Sequence, residues 1–496
     1  MGKYTVPEEI RKLAPDGTMV KKQGNGYYVY EYSSKKEKKL RNGSWKWTTV
    51  TKMGSVIGKI TLQDGFIPNS NKLNRTELSV LEYGAYALAI NKSQPTYKKL
   101  TEIFNIKDAQ KIYTIALIFF VDGFRYIKDI KRYYEMSYLS VEYPNITLGY
   151  DSVHNLYSNL GLYGELPKQF QQELLDHSSK RMAIDGHVIA CTSRENDLSE
   201  YGYKAKQLRT EQINWMTIYD VMDRRPLVSQ MINGANPDKT AVYDIFNQFT
   251  FNQTEFLVDR GFNTKPIKNL MSQNGNSYIV PMVSGRKDYV YVHSHLKFDK
   301  RRYFSYTSGK YATIVRYSEY TYDQIRYIAY QDVTQAATEE ADFLRKMQAG
   351  LDGYTEKNYK ESEIDFGVFM LEVSSKDISA KDAFMHYKAR WTIETFYDYI
   401  DNRVDFNALY QQEESCTEGL GFIMQITGMI YENVKSCTDK AGINLKDTLD
   451  NLQSVKLFRG KHSWELKNDI KGIRDTCSNL EFNLPQMITF STQSLL

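Results

Sequence analysis

KRMAIDGHVIACT, residues 180–192, sets the reading of the rest of the chain. Apolar and β-branched side chains flank Asp185 on both sides, so the stretch reads as a strand. Asp is disfavoured in mid-strand, and an unpaired charge in such a flank is costly. Asp185 therefore calls for a chemical reason. Downstream, INWMTIYDVMDRRPLVSQMING (213–234) reads as two strands around a tight turn at Asp223–Pro226, and TAVYDIFNQF (240–249) as a helix. TEFLVDRGF (254–262) is a short strand that ends in Asp259-Arg260-Gly261. TKPIKNLMSQ is helical and YIVPM is strand again. Three antiparallel strands, a helix, then strands alternating with helices predict an α/β (α+β) mixed sheet of the RNase H-like type.

Working outward, residues 285–330 depart from that order. DYVYVHSH, RRYFSYTS, KYATIVRYSEY and QIRYIAYQ read as successive strands, a mainly β insertion before IDFGVFMLEVS (364–374) restores the core. The N-terminal segment reads as three short strands, GYYVYEYS, SWKWTTVTKMG and SVIGKITL, with a basic tip KKEKKLRNG after the first. From Thr76 to about Tyr134 the pattern is helical, with breaks at Gln94-Pro95 and Asp122-Gly123; Pro167–Leu175 adds a short helix. The expected divisions are a β-rich region (1–70), a helical, DNA-binding region (71–165), and a first core part (166–284). The insertion (285–360), a second core part (361–435) and a helical tail (436–496) follow.

Composition sets bounds. A chain of 496 residues exceeds one ordinary core. The net charge of +4 is small, so affinity for nucleic acid has to come from local patches. The four cysteines, Cys191, Cys416, Cys437 and Cys477, show no CxxC or zinc-like spacing and read as reduced thiols of a cytoplasmic protein. The longest apolar run, IALIFFV (115–121), is too short to span a bilayer.

HYKARWTIETFYDYI, residues 386–400, reads as a helix that carries Tyr387, Arg390 and Glu394 in one stripe. An intrahelical Arg390–Glu394 ion pair is one explanation. The other begins from Asp185 and from Asp259, which ends a strand where side chains emerge toward a cleft. Two strand acids and one helix acid are enough to hold a pair of hard divalent ions, Mg²⁺ with Mn²⁺ as a substitute. Such a pair clamps the attacking and leaving oxygens of a phosphodiester displacement. Arg390 and Tyr387 would then line the path of the same phosphate.

With these stretches in place, the chain resembles the DDE transposases of bacterial insertion sequences, in the branch with a β-strand insertion before the final Glu. The matching stretches are IDGHVIACTS, GYKAKQLRTEQIN, RPLVSQMINGANPDKTAV, FLVDRGF and YKARWTIETFYDYI, with GYYVYEYSSKKEKK and IGKITLQDGFIP nearer the start. That branch carries Tyr, two residues, Arg, three residues, Glu, six residues, Lys. Tyr387, Arg390 and Glu394 match, whereas Asp401 stands where the Lys belongs. In the family that Lys contacts DNA phosphate, and a Trp of the insertion traps a flipped base; the insertion here has no Trp. The resemblance implies Asp185, Asp259 and Glu394 as catalytic metal ligands. It further implies cleavage at element ends, joining of the freed 3′-hydroxyl to target DNA, and a cytoplasmic, nucleoid-associated protein. Terminal inverted repeats and target DNA would be the partners, and a homodimer on DNA is expected.

Other residues carry weaker signals. His187 shares a strand face with Asp185, either as support for it or as a satisfied strand histidine. His293 and His295 lie apart from any acid cluster. Lys36 and Lys39 of the basic tip, and Arg301 and Arg302 of the insertion, are candidate DNA contacts, with a solvated turn and an ordinary polar sheet face as the respective alternatives. Leu445, Leu449, Leu452 and Val455 form an apolar stripe that closes either the chain's own core or a dimer contact. A transposase-derived DNA-binding protein that no longer cuts is the alternative function, kept open by Asp401.

Overall fold

The computed structural model describes residues 6–489, apart from 25, 42–43, 63–64, 69–79, 163, 194, 203–209, 237, 461–462, 468–470 and 486; along 33–52 only the backbone is described. The chain divides into two compact units, residues 1–79 and 80–496.

The first unit is an antiparallel sheet in the order β1 (Thr18–Gln23), β2 (Gly26–Arg41), β3 (Ser44–Thr61), β4 (Gly65–Pro68), with a short helix α1 (Glu8–Lys12). Val6, Ile10, Val29 and Ile60 form its small core. A side chain at Gly58 would meet the Ile67 carbonyl oxygen at 2.4 Å, so β4 closes on β3 only over a glycine. The expected basic tip is instead part of β2. Lys36 lies opposite Thr49 and Lys39 opposite Lys46, in a ribbon that runs unbroken to Arg41. β3 likewise spans the two strands expected after the tip, because Met53-Gly54 carries strand geometry through what reads as a turn.

The second unit begins with β5 (Val80–Glu82) and a helical layer. That layer comprises α2 (Gly84–Lys92), α3 (Gln94–Ile103), α4 (Ile106–Asp122), α5 (Ile127–Met136), α6 (Leu139–Glu142), α7 (Tyr150–Leu162) and α8 (Glu165–Asp176). Asn105 caps α4 by accepting from Asp108 N at 3.1 Å, and Gly123, at φ +83°, ends it. The central sheet follows. β6 (Arg181–Cys191), β7 (Glu211–Asp220) and β8 (Arg225–Asn233) are antiparallel neighbours, and α9 (Asp238–Gln248) follows them. β9 (Glu255–Val258) runs parallel to β6 on its other side; α10 (Lys265–Leu270) then leads to β10 (Ser277–Pro281), parallel to β9. The order β8-β7-β6-β9-β10, with three antiparallel strands and then two parallel ones, is the RNase H-like topology.

The segment from 285 to 360 differs from the all-β expectation. β11 (Tyr303–Ser308), β12 (Tyr311–Tyr322) and β13 (Ile325–Asp332) are present, but they extend the core sheet through β14 (Val368–Val373), which pairs with β10. DYVYVHSH is helix α11 (Lys287–Ser294), and α12 (Val333–Gln348) and α13 (Glu356–Ser362) make the rest of the segment helical. Tyr289, Val292 and Leu296 share one helix face against Met282, Tyr327, Ala329 and Met370. In so short a run that spacing of three and four competes with the alternation of Tyr and Val.

α14 (Ala380–Ala389) and α15 (Trp391–Tyr399) follow, then a π-helical turn, Ile400–Val404, and β15 (Ala408–Leu409). α16 (Glu414–Lys440) is buried nearly all round, with α7, α4 and β8 packed on it. A side chain at Gly419 would lie 2.0 Å from the Tyr157 carbonyl oxygen, and one at Gly161 2.1 Å from that of Ser415. The tail carries strands as well as the expected helices. Besides α17 (Leu445–Gln453) and α18 (Lys471–Asn479), its strands β16 (Lys456–Arg459), β17 (Ser463–Lys467) and β18 (Met487–Thr489) form a sheet with β5. β5 supplies a ladder partner far away in sequence, which local periodicity cannot reveal. Leu449, Leu452 and Val455 are buried in this unit, against α2 at Gly84, so the stripe closes the chain's own core. Among the described residues no helix is long and apolar enough to cross a membrane.

Candidate active site

β6 has one edge shared end to end by two strands. β9 pairs with it from Arg181 to Ile184 and β15 at Ala190–Cys191. Among the described residues no strand covers Asp185–Ile189 on that edge, and the sheet opens there. Ile184 lies opposite Val258, so the next residues, Asp185 and Asp259, emerge side by side on strands about 4.8 Å apart. Gly186 is required at this level. A side chain there would meet Met216 Sδ at 2.8 Å and Asp238 Oδ1 at 2.9 Å, where the start of α9 closes on β6.

The helix bearing Glu394 is fastened across this opening. Tyr397 donates its hydroxyl to the Asp185 carbonyl at 3.1 Å, and its ring stacks on His187 with centroids 4.7 Å apart. His187 Nε2 in turn meets Asp401 Oδ1 at 2.8 Å. Arg390, at the junction of α14 and α15, donates from Nη2 to Glu394 Oε1 at 2.6 Å and lies over the Tyr387 ring at 5.8 Å. Only 8% of Arg390 is exposed. Burial works against its charge, but Tyr387, Glu394, Asp185 and Asp259 more than offset that. The intrahelical ion pair is therefore present, and it also places a cation among all three acids.

Burial pushes the Asp185 carboxyl up to about 6; the Gly186 N–H (2.9 Å to Oδ1) and Arg390 pull it down, while Glu394 and Asp259 push it further up. Burial also raises the Tyr387 phenol, to about 12. The oxygen donors suit a hard divalent ion, since three carboxylates face a single arginine and Asp185 is held where ionisation is costly without more positive charge. They are not drawn into a single-ion cluster. The group of three whose ligand atoms all lie within 4.8 Å of one another is His154, Glu413 and Cys416, elsewhere among the described residues.

The other sequence candidates lie apart. Arg301 is 90% exposed and pairs with Asp299 at 3.4 Å; Arg302 pairs with Glu319 at 3.7 Å and covers the Tyr317 ring at 5.5 Å. Both precede β11, six strands from β6, which is about 29 Å at the usual strand spacing. The side chains of Lys36 and Lys39 lie outside the described residues. Arg403, two residues after Asp401, is engaged with Asp450 at 3.4 Å. His293 pairs with Asp365 at 2.7 Å. Two partners went unread in the sequence. Asp401 is the acceptor that a histidine on the Asp185 face requires, and Asp238 packs against Gly186. The first carried a signal, because the acid stands where the family has a base; the second carried none.

The structure thus presents a sheet of RNase H topology with acids at its open edge. Residues 176–410 match the family of transposase DDE domains, and that stretch contains Asp185, Asp259 and Glu394. A similar solved structure is the cryo-EM structure of a piggyBac transposase synaptic complex with hairpin DNA. It is 11% identical, with 81% of this chain and 84% of that chain covered and a TM-score of 0.39. Among curated proteins no sequence matches.

Proposed function

We propose that the chain is a DNA transposase of insertion-sequence type that hydrolyses the phosphodiester at element ends and transfers the 3′-hydroxyl into target DNA. The observation that carries this is the open edge of β6, where Asp185, Asp259 and Glu394 meet around Arg390. Divalent ions bound to these carboxylates, Mg²⁺ or Mn²⁺ and two in number, would supply the positive charge that stabilises the attacking and leaving oxygens. Asp185 and Asp259 hold two donor sets side by side, and Glu394 adds a third from the facing helix. Arg390, buried and fully charged, is placed to take a phosphate oxygen, and Tyr387 keeps water from its other face. Tyr397 and the His187–Asp401 pair fix the helix against β6, so the acids need no large rearrangement.

DNA grip would draw on exposed bases elsewhere, Arg301 and Arg302 among them, and on the ribbon that bears Lys36 and Lys39. The partners would be terminal inverted repeats and target DNA, bound by a homodimer. A DNA-binding protein without cleavage activity is the second reading, favoured by Asp401 in place of the family lysine. The deciding experiment incubates the full chain and Mg²⁺ or Mn²⁺ with a plasmid that carries the reading frame in its native flanking DNA. Nicking at the frame's ends, lost in Asp259→Ala with binding retained, supports the transposase. Binding with no cleavage by the wild-type chain in either metal rejects it in favour of the second reading.

A further inference from the structure

On the helical layer, away from the carboxylate site, α7 and the start of α16 bring three different ligand types to one point. His154 Nε2 lies 3.6 Å from Glu413 Oε1, and Cys416 Sγ lies 3.6 Å from Glu413 Oε2. All three ligand atoms fall within 4.8 Å of one another. A tetrahedral ion with bonds of about 2.0–2.3 Å separates its ligands by roughly 3.3–3.8 Å; the spacings from His154 and Cys416 to the two oxygens of Glu413 fall in that range, and a small closure of the three would seat an ion. The donor set is an imidazole, a carboxylate and a thiol. It selects a borderline-soft ion such as Zn²⁺ over Mg²⁺ or Ca²⁺, which prefer oxygen alone.

The two helices cannot slide apart or rotate easily. Gly161 lies against the Ser415 carbonyl, Gly419 against that of Tyr157, and the Ser158 and Ser415 hydroxyls meet at 3.2 Å. This backbone contact fixes where His154 and Cys416 stand, which is the rigidity a preformed metal site needs. Tyr150 stacks on His154, with planes 19° apart, and steadies the ring. Cys416 is 2% exposed, but a cavity of about 540 Å³ lined by Tyr126, Tyr150 and Tyr410 opens beside the three ligands. It gives an ion a way in and leaves room for a water as fourth ligand.

We propose that His154, Glu413 and Cys416 form a transition-metal site for Zn²⁺, separate from the carboxylate site, that braces α7 against α16 and anchors the segment after β15. On binding, the Cys416 thiol gives up its proton to solvent and a sulfur–metal bond forms, with no change of oxidation state. The thiol now donates toward Glu413 and the His154 carbonyl. Because a bound thiol must lose its proton, metal uptake should release protons.

The test is Co²⁺ titration of the metal-free full-length protein. A thiolate-to-cobalt charge-transfer band should saturate with one ion per chain and be displaced by Zn²⁺ but not by Mg²⁺. The Asp185/Asp259/Glu394 site has no sulfur and cannot give this band, so Asp259→Ala should leave it unchanged. Cys416→Ser should abolish it. Should that buried substitution disturb folding, the half-exposed His154→Gln supplies the second test, with Co²⁺ affinity lowered by at least about tenfold. A band absent at one equivalent, or one that survives Cys416→Ser, would overturn the proposal. So would unchanged affinity in His154→Gln.

Discussion

Arg390 touches one acid and lies within electrostatic reach of the other two. Its removal should do more than loosen Glu394. Arg390 pulls the Asp185 carboxyl down from where burial alone would hold it, so in Arg390→Ala that pKa should rise above about 6. Asp185 must be ionised to bind a cation, so the acid limb of the cleavage profile should move to higher pH. The plateau should drop by about a hundredfold or more. Single-turnover rates across the neutral and mildly acidic range would check this; an acid limb that stays put would separate Arg390 from Asp185. His187 and Asp401 are argued as one positioning unit. His187→Ala and Asp401→Ala should each slow cleavage by about tenfold with DNA binding kept. The double variant should lose little more than either single one, whereas simply additive losses would show that the two act apart. At this scale Asp185 stood out because it broke the preference of its strand, whereas Asp259 and Glu394 stood out only beside it and through the family resemblance. Asp401 was legible only as a departure, since its partner is far away in sequence.

Buried helices bring a different constraint. α16 carries Glu432 at 4% exposure; Tyr219 donates to its Oε1 at 2.6 Å and Arg224 lies 3.6 Å from Oε2. Burial pushes its carboxyl up to about 7, against the pull of Tyr219, Arg224 and Lys435. A raised carboxyl contributes its full stability below the unfolded value near 4.5. That contribution is lost as the pH rises to about 7, because the unfolded chain releases the proton first. The loss is on the order of 3 kcal/mol at about 1.4 kcal/mol per unit. Glu432→Gln keeps an acceptor for Tyr219 and has no charge to form. Its stability relative to wild type should therefore climb between about pH 4.5 and pH 7 and level off above. Denaturant midpoints across that range would show it, and a flat difference would refute it. On the same helix, Gly419→Ala should cost about 1–3 kcal/mol, since the new methyl group meets the Tyr157 carbonyl rather than a side chain that can turn away. The long elements of the core were readable from such packed apolar faces. α11 was misread because the alternating Tyr289–Val292 stretch within its eight residues satisfies both periods until the partner surface chooses one.

For the whole molecule, the order of core strands was legible because each local element pointed to the same sheet. The joins were not. β14 receives β13 on one side and β10 on the other, and β5 draws the tail into a sheet with the start of the second unit. Both pairings link segments whose sequences carry no mark of each other. The same sheet extension carries Arg301 and Arg302 well away from the acids, so the role we propose for them is grip rather than chemistry. Charge reversal at both should weaken binding to any DNA sequence and lower the salt slope by about one per lost phosphate contact. An unchanged slope would leave them as ordinary surface. The apolar stripe of α17, spent inside the chain, supplies no dimer contact. On the proposed function, joining two ends in concert would need two sets of acids held together, and a two-fold assembly on DNA would provide them. Because such an assembly can form only on DNA, the size of the free protein is no guide. A mixture of Asp259→Ala and wild-type chains on paired ends is. If both sites must act within one synapse, joining should fall with the square of the wild-type fraction. A fall in simple proportion to the inactive chain added would mean that the sites act independently, and would reject the synaptic dimer.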